Sequence, residues 1–109
     1  MGIGSLFRSR APIEDFARSL VDDIAKRYPV AIDQDDSARP SANRLTRIVE
    51  DVCKKAVDFK GEHKLGVLGK AKLGNAFRWE LSNRGYRKEF VDLATEAVVV
   101  HISRKSPAA

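Results

Sequence analysis

Apolar residues recur at helical spacing in four segments of the chain. In each segment they fall at positions i, i+3, i+4 and i+7, which places them on one face of an α-helix. The first face comprises Ile13, Phe16, Ala17, Leu20, Val21, Ile24 and Tyr28. The second comprises Leu45, Ile48, Val49, Val52, Cys53 and Ala56. These two segments predict amphipathic helices that bury one side against a common core.

Residues that start and stop helices bound these two segments. Pro12 suits a first helical turn, where its missing N–H costs nothing, and Pro29 disfavours helix in the residue before it. Ser41 follows Pro40 and is a predicted N-cap for the second helix, while Gly61 marks its predicted end. The segment 29–40 between them is polar and rich in turn-forming residues, which predicts a surface loop.

The third segment fits both a helix and a strand. Leu73, Ala76, Phe77 and Leu81 have helical spacing, and Arg84-Gly85-Tyr86 is typical of a glycine C-cap followed by an apolar residue. Alternation of Phe77, Trp79 and Leu81 would instead suit a strand. Because the cap and the spacing agree, a helix is favoured.

The fourth segment is strongly amphipathic. Its apolar face comprises Phe90, Val91, Ala94, Ala97, Val98, His101 and Ile102. The β-prone run 98–100 leaves a strand over about 96–103 as the alternative. The pattern therefore predicts an all-α fold, a compact four-helix domain of two helical hairpins over 12–105. Flexible tails are expected at 1–11 and 106–109, and an α+β fold with strands in the last third is the alternative.

Composition narrows the class of protein. With 109 residues, a single cysteine and two histidines, the chain predicts one domain without a disulfide framework or a zinc-finger site. No run approaches the roughly 20 apolar residues of a membrane helix, and the start of the chain lacks the apolar core of a secretory signal. A cytoplasmic protein without membrane contact is expected.

Positive charge is concentrated in one region. Residues 60–88 carry a net charge of +6, whereas the whole chain carries +5, so the residues outside this region carry a net charge of −1. A basic region of this kind is what an acidic partner or a nucleic acid would require, although it is also typical of a solvated face. The candidate binding residues are Lys70, Lys72, Arg78, Trp79, Arg84, Arg87 and Lys88.

Trp79 is the most informative residue of this region. At about 100° per residue it points about 200° away from Phe77, the centre of the apolar face of its helix. An outward tryptophan among lysines and arginines could stack on bases or anchor a protein interface. The alternative is that the helix is central and Trp79 packs on a second neighbour, because tryptophan is usually well buried.

A short segment around the first histidine resembles a known family. His63-Lys64-Leu65, followed about ten residues later by Leu73-Gly74, is similar to the phosphoacceptor segment of histidine phosphotransfer domains, which are helical bundles of this size. The resemblance implies an exposed histidine that relays a phosphoryl group. Where that family has a Lys-Gly pair after the apolar residue, this chain has Gly66-Val67.

Other candidate chemistries lack partner residues. Cys53 falls on the buried stripe with no identifiable activating base, and His101 falls on an apolar face, where a hydrogen-bonded core or interface histidine is expected. Asp33 and Asp35 begin like a calcium loop, but Ala38 stands where glycine is needed. These aspartates are expected to be solvated or to approach a helix N-terminus.

No catalytic triad, carboxylate pair, nucleotide-binding loop or metal-ligand cluster is recognisable, so no enzyme activity, cofactor or small-molecule substrate is expected. The leading interpretation is a non-enzymatic interaction module that presents the basic surface to an acidic protein partner or to a second copy of itself. Nucleic-acid binding through phosphate contacts and stacking of Trp79 is the alternative. Histidine phosphotransfer at His63 is third.

Overall fold

Helices make up 81% of the part of the chain that the computed structural model describes, residues 11–104. There are five within this range: α1 (Ala11–Arg27), the short α2 (Val30–Asp33), α3 (Ala42–His63), α4 (Val67–Asn83) and α5 (Lys88–Ser103). The all-α prediction is confirmed. Because α4 and α5 occupy the region where strands were the alternative, that alternative is wrong. The predicted tails at 1–11 and 106–109 lie outside the described residues, except for Ala11, which begins α1.

The four long helices form two antiparallel hairpins. Asp23 of α1 pairs with Lys55 of α3, and Phe16 stacks on Phe59 with ring centroids 4.0 Å apart. In the second hairpin, Arg78 of α4 reaches Asp92 of α5. From Phe16 to Asp23 the partner on α3 moves back from Phe59 to Lys55, and the later half of α4 meets the first half of α5, as antiparallel packing requires.

The hairpins pack side by side, and the most extensive interface joins α1 to α4. An ion pair between Asp22 and Arg84 lies at the C-terminal halves of these helices, so α1 and α4 run parallel. Likewise α3 packs along α5, where Lys60 donates to the carbonyl oxygen of Arg104 at 3.0 Å. Around the bundle the order is therefore α1, α3, α5, α4.

The predicted apolar faces form the core. Buried members of all four faces pack together with Phe59, Tyr86 and the half-buried Phe16, Leu45, Ala76 and Ala97. The side chains with no exposed surface include Leu20, Ile24, Cys53, Leu73, Phe77, Leu81 and Val98. Burial of these side chains, each contributing about 1.5–3 kcal/mol when fully removed from water, is what holds the hairpins together.

Of the two predicted helix ends, that of α4 is confirmed and that of α3 is wrong. Gly85, with φ +98°, ends α4, and the N–H of Tyr86 donates to the carbonyl of Leu81 at 3.2 Å, as in a Schellman motif. This confirms the glycine C-cap. Gly61 instead lies inside α3, which continues to His63, so the predicted end was wrong. Lys64 supplies the left-handed residue there, with φ +49°.

The segment 29–40 is mostly exposed, as its composition predicted, but it also contains the short α2 and a buried aspartate. Asp33, at the end of α2, has no exposed surface. Its carboxylate accepts hydrogen bonds from the Tyr28 hydroxyl at 2.6 Å and from the backbone N–H of Arg87, the N-cap of α5, at 2.7 Å. The expected approach of an aspartate to a helix N-terminus is therefore found at Asp33.

Aromatic rings surround this carboxylate. The ring centroids of Tyr28 and Phe90 are 4.9 Å apart and those of Tyr86 and Phe90 are 5.3 Å apart. The Tyr86 hydroxyl donates to the carbonyl of Tyr28 at 2.7 Å. Burial raises the pKa of Tyr86 to about 12. Burial, then the hydrogen bond to Asp33, raises the pKa of Tyr28 above its usual range.

Gly85 and Lys64 both have positive φ, and substitutions at the two positions should have opposite effects on the free energy of unfolding. Gly85→Ala forces an alanine into a conformation that costs an L-residue about 1–2 kcal/mol, and the free energy of unfolding should fall by that amount. Lys64→Gly removes the same strain, partly offset by chain entropy, and should raise it by up to about 1 kcal/mol. Urea denaturation measures both. A gain in stability from Gly85→Ala would contradict the assignment.

Removing the buried carboxylate should be costly. Asp33→Ala leaves the Tyr28 hydroxyl and the Arg87 N–H buried without an acceptor, and each unsatisfied group costs about 1–3 kcal/mol. The expected loss in the free energy of unfolding is therefore about 3 kcal/mol or more. Asp33→Asn keeps one acceptor oxygen and should lose less. A loss below about 1 kcal/mol for the alanine variant would mean that water satisfies both donors.

Candidate interaction surface

Trp79 lies on the outer side of α4. Its side chain is 63% exposed, whereas Phe77 on the same helix has no exposed surface. The predicted outward orientation is therefore confirmed, and packing against a second neighbour is not found within the described residues. Val67 and Leu68, in the first turn of α4, are also exposed, the latter by 76%. Thus α4 carries apolar side chains on both its inner and its outer side.

A groove of about 550 Å³ runs between α1 and α4, and we call it the α1–α4 groove. It is lined by Ile13, Glu14 and Arg18 of α1 and by Lys72, Asn75, Ala76, Trp79 and Glu80 of α4. Trp79, Ala76 and Ile13 supply its apolar lining. The groove gives the indole an adjacent concave surface, which is where anchor residues of protein interfaces are commonly found.

Charges of both signs border this groove. Glu80 accepts from Arg84 at 2.8 Å, and Arg18 lies 3.6 Å from Asp15, so both already have partners. Glu14 and Lys72 form no ion pair within residues 11–104. The groove therefore offers one carboxylate and one ammonium group that are available to a ligand.

Four of the six predicted basic residues form ion pairs with carboxylates of the chain itself. Arg78 lies 2.7 Å and Lys88 3.1 Å from opposite oxygens of Asp92. The hydrogen bond from Arg78, then that from Lys88, lowers the pKa of Asp92, so its carboxylate stays ionised to lower pH. These two cations therefore contribute less to an outward positive field than their number suggests.

The remaining arginines are engaged near the turn between α4 and α5. Arg84 donates to Asp22 at 2.6 Å and to Glu80 at 2.8 Å. Burial acts to lower its pKa, but these hydrogen bonds dominate and raise it. The guanidinium of Arg87 lies 3.6 Å from the buried Asp33. Both arginines thus tie helices together.

The two lysines of the predicted set lie on different sides of α4. Lys72 is exposed beside Trp79, whereas Lys70 is half-buried and lines a second groove between α4 and α5. This second groove, of about 470 Å³, also includes Val67, Ala71 and Val99. The seven candidate residues therefore do not share one face: Trp79 and Lys72 are brought together, and the others are distributed around α4 and its C-terminal turn.

Sequence reasoning missed the contribution of α1 to this surface. Ile13, Glu14 and Arg18 belong to the first two turns of a helix some 60 residues away in sequence. Helical periodicity placed Ile13 on a buried face, but it does not reveal which helix packs alongside. No local signal in the sequence could have identified the pairing of α1 with α4.

The two histidines and the cysteine lie at separate positions in the bundle. His63, at the end of α3, is exposed and packs on Phe59 with ring centroids 4.2 Å apart. Its exposure is what phosphotransfer at this residue would need, and that activity stays a prediction. His101 is half-buried, with Nδ1 2.7 Å from the carbonyl oxygen of Ala97. Cys53 is buried, and burial raises the pKa of its thiol to about 11.

Neither a metal-ligand cluster nor a membrane-spanning helix is present within residues 11–104. No group of three or more histidine, cysteine or acidic side chains in this range is arranged to hold a metal ion. None of the helices there has both the length and the apolar character needed to cross a bilayer. Comparisons of the chain with protein-family models, with curated proteins and with solved structures find no match.

Proposed function

We propose that the chain is a non-enzymatic interaction module that binds a protein through the outer side of α4 and the α1–α4 groove. The observation that carries this proposal is the exposure of Trp79, 63%, at the edge of an apolar concave surface. Solvating an indole in this position forgoes the free energy of burying one of the largest apolar side chains. A protein partner that buried the indole would recover this free energy.

The surroundings of Trp79 suit a protein interface better than a purely electrostatic one. Val67 and Leu68 add exposed apolar side chains in the first turn of the same helix, and a surface that combines apolar with polar side chains is typical of protein interfaces. Four of the predicted cations already pair with carboxylates of the chain. Lys72 remains available to a carboxylate of an acidic protein or of a second copy.

Site-specific photo-cross-linking in the native cells tests this proposal. A benzophenone amino acid replaces Trp79 in one variant and Lys54, exposed on α3, in the matched control. The expected result is a protein adduct from position 79 that resists nuclease and is several-fold weaker from position 54. Equal adducts from both positions, or none from position 79, would overturn the proposal.

Nucleic-acid binding is the second candidate, and one observation favours it. The exposed indole of Trp79 shares its groove with Lys72 and Arg18, so a base could stack while cations contact phosphates. Against it stands the pairing of both Arg78 and Lys88 with Asp92, which leaves a net charge of +1 on the three side chains, since a cation that is already paired contributes less to counterion release.

Fluorescence of Trp79, the one tryptophan of the chain, separates these candidates. An exposed indole emits at long wavelength, so the dilute protein should show red-shifted emission that iodide quenches. Mixed-sequence RNA and duplex DNA are then titrated at about 50 and 200 mM salt. Little change in emission is expected. Strong quenching, with an affinity that falls steeply as salt rises, would instead favour the nucleic-acid candidate, and Trp79→Phe is the control for stacking.

A further inference from the structure

The exposed side of α4 has a symmetric pattern of residues. Leu68, Lys72, Asn75 and Trp79, which we call the α4 stripe, are spaced by four, three and four residues and are all exposed. This spacing keeps them within about 60° of one another around the helix. Read in either direction, the stripe is apolar, polar, polar, apolar. A helix with such a pattern is complementary to an antiparallel copy of itself.

We infer that the partner of this surface is a second copy of the chain, joined by antiparallel pairing of α4 with α4 about a twofold axis level with the Leu73–Gly74 peptide. The inference rests on the proposed function, because it assigns the occupant of the same surface. In an isologous dimer, every contact between two residues occurs twice, once on each side of the twofold axis. Here Leu68 faces Trp79 of the second copy, and Lys72 faces Asn75.

Apolar and small side chains make this pairing physically reasonable. Leu68 and Trp79 would lose the exposed surface that each now presents to water, twice per dimer. Ala71 and Ala76 flank the stripe on opposite sides and stand level with each other across the axis, so the helices can approach closely. The spacing of four and three is also that of the a and d positions of a coiled coil.

Charge complementarity comes from α1. Because α1 runs parallel to α4 and Asp22 pairs with Arg84, Glu14 stands level with Ala76 in the same chain. The twofold axis brings Lys72 of the second copy level with Asn75, one residue or about 1.5 Å away along the helix. The carboxylate of Glu14 and the ammonium of Lys72, which form no ion pair within residues 11–104, would therefore meet across the interface, in two symmetric pairs.

The size of the surface sets the expected strength. With 17 residues, α4 is about 25 Å long. A single helix pair with its flanking grooves falls at the low end of specific interfaces, below about 1,200 Å² in total. The dimer should therefore be weak, with a Kd in the range of about 1–100 µM. Polar Lys72 and Asn75 at the centre would fix the antiparallel register at some cost in affinity.

Sedimentation equilibrium of the purified full chain, over about 1 µM to 1 mM, tests the inference. The wild-type protein should pass from monomer to dimer, and the emission of Trp79 should shift to shorter wavelength in step. Leu68→Glu, at a surface position, should weaken the dimer at least tenfold. The matched control Lys54→Glu adds negative charge on α3 and should leave dimerisation within about twofold of wild type. Circular dichroism melts confirm that each variant folds.

Charge reversal at the two paired positions gives an independent test. Glu14→Lys and Lys72→Glu should each raise the dimer Kd about tenfold, since each turns two attractions into repulsions worth about 1.4 kcal/mol in total. The double variant restores opposite charges and should return to within about threefold of wild type. Additive weakening in the double variant would overturn the assigned register.

The failures of the two proposals are distinguishable. A chain that stays monomeric up to about 1 mM, or whose dimer ignores Leu68→Glu, overturns the second copy as the partner. Cross-linking of position 79 to a different protein in cells would then leave the interaction module standing with another occupant. Cross-links of twice the mass of the chain from position 79, lost on Leu68→Glu, would support both proposals.

Discussion

A single buried carboxylate fixes the geometry of the bundle. Asp33 has no exposed surface, and a charge removed from water must be compensated by hydrogen bonds or ion pairs. Its partners come from two distant parts of the chain: the hydroxyl of Tyr28 at the end of the first helix, and the backbone and guanidinium of Arg87 at the start of the last. Because the carboxylate is on α2 and its two hydrogen-bond donors are at the ends of α1 and α5, these bonds orient α2 relative to both helices. That orientation sets the first hairpin against the second.

The two ends of the bundle are therefore different in character. Hydrogen-bonded polar groups and packed aromatic rings close the end that contains Asp33, Tyr86 and Phe90. Leu68, near the opposite end, and Trp79, on the outer side of α4, leave apolar surface open to solvent. Neither side chain takes part in the buried contacts around Asp33, so the exposed side of α4 can change without disturbing those contacts.

The spacing of residues along the sequence predicted the features that depend on neighbouring residues, and not those that depend on residues distant in sequence. The buried faces of all four helices and the glycine cap at Gly85 follow from periodicity and backbone sterics within a few residues. The helix end predicted at Gly61 was wrong because a glycine is tolerated inside a helix when the helix can end elsewhere, here at Lys64. The polar composition around Asp33 predicted solvent exposure, although its hydrogen-bond partners lie up to 54 residues away. Pairing of helices across the bundle, and hence the groove beside Trp79, depends on such long-range contacts.

The parallel packing of α1 on α4 links assembly of the surface to completion of the fold. Glu14 belongs to the first hairpin and Trp79 to the second, and each hairpin by itself offers only part of the groove. A molecule that engages both sides binds the native chain and not a half-docked one. By mass action such a ligand adds to native stability as its concentration rises above its Kd. For a ligand of this kind, the effective stability of the domain is then a function of the ligand's concentration.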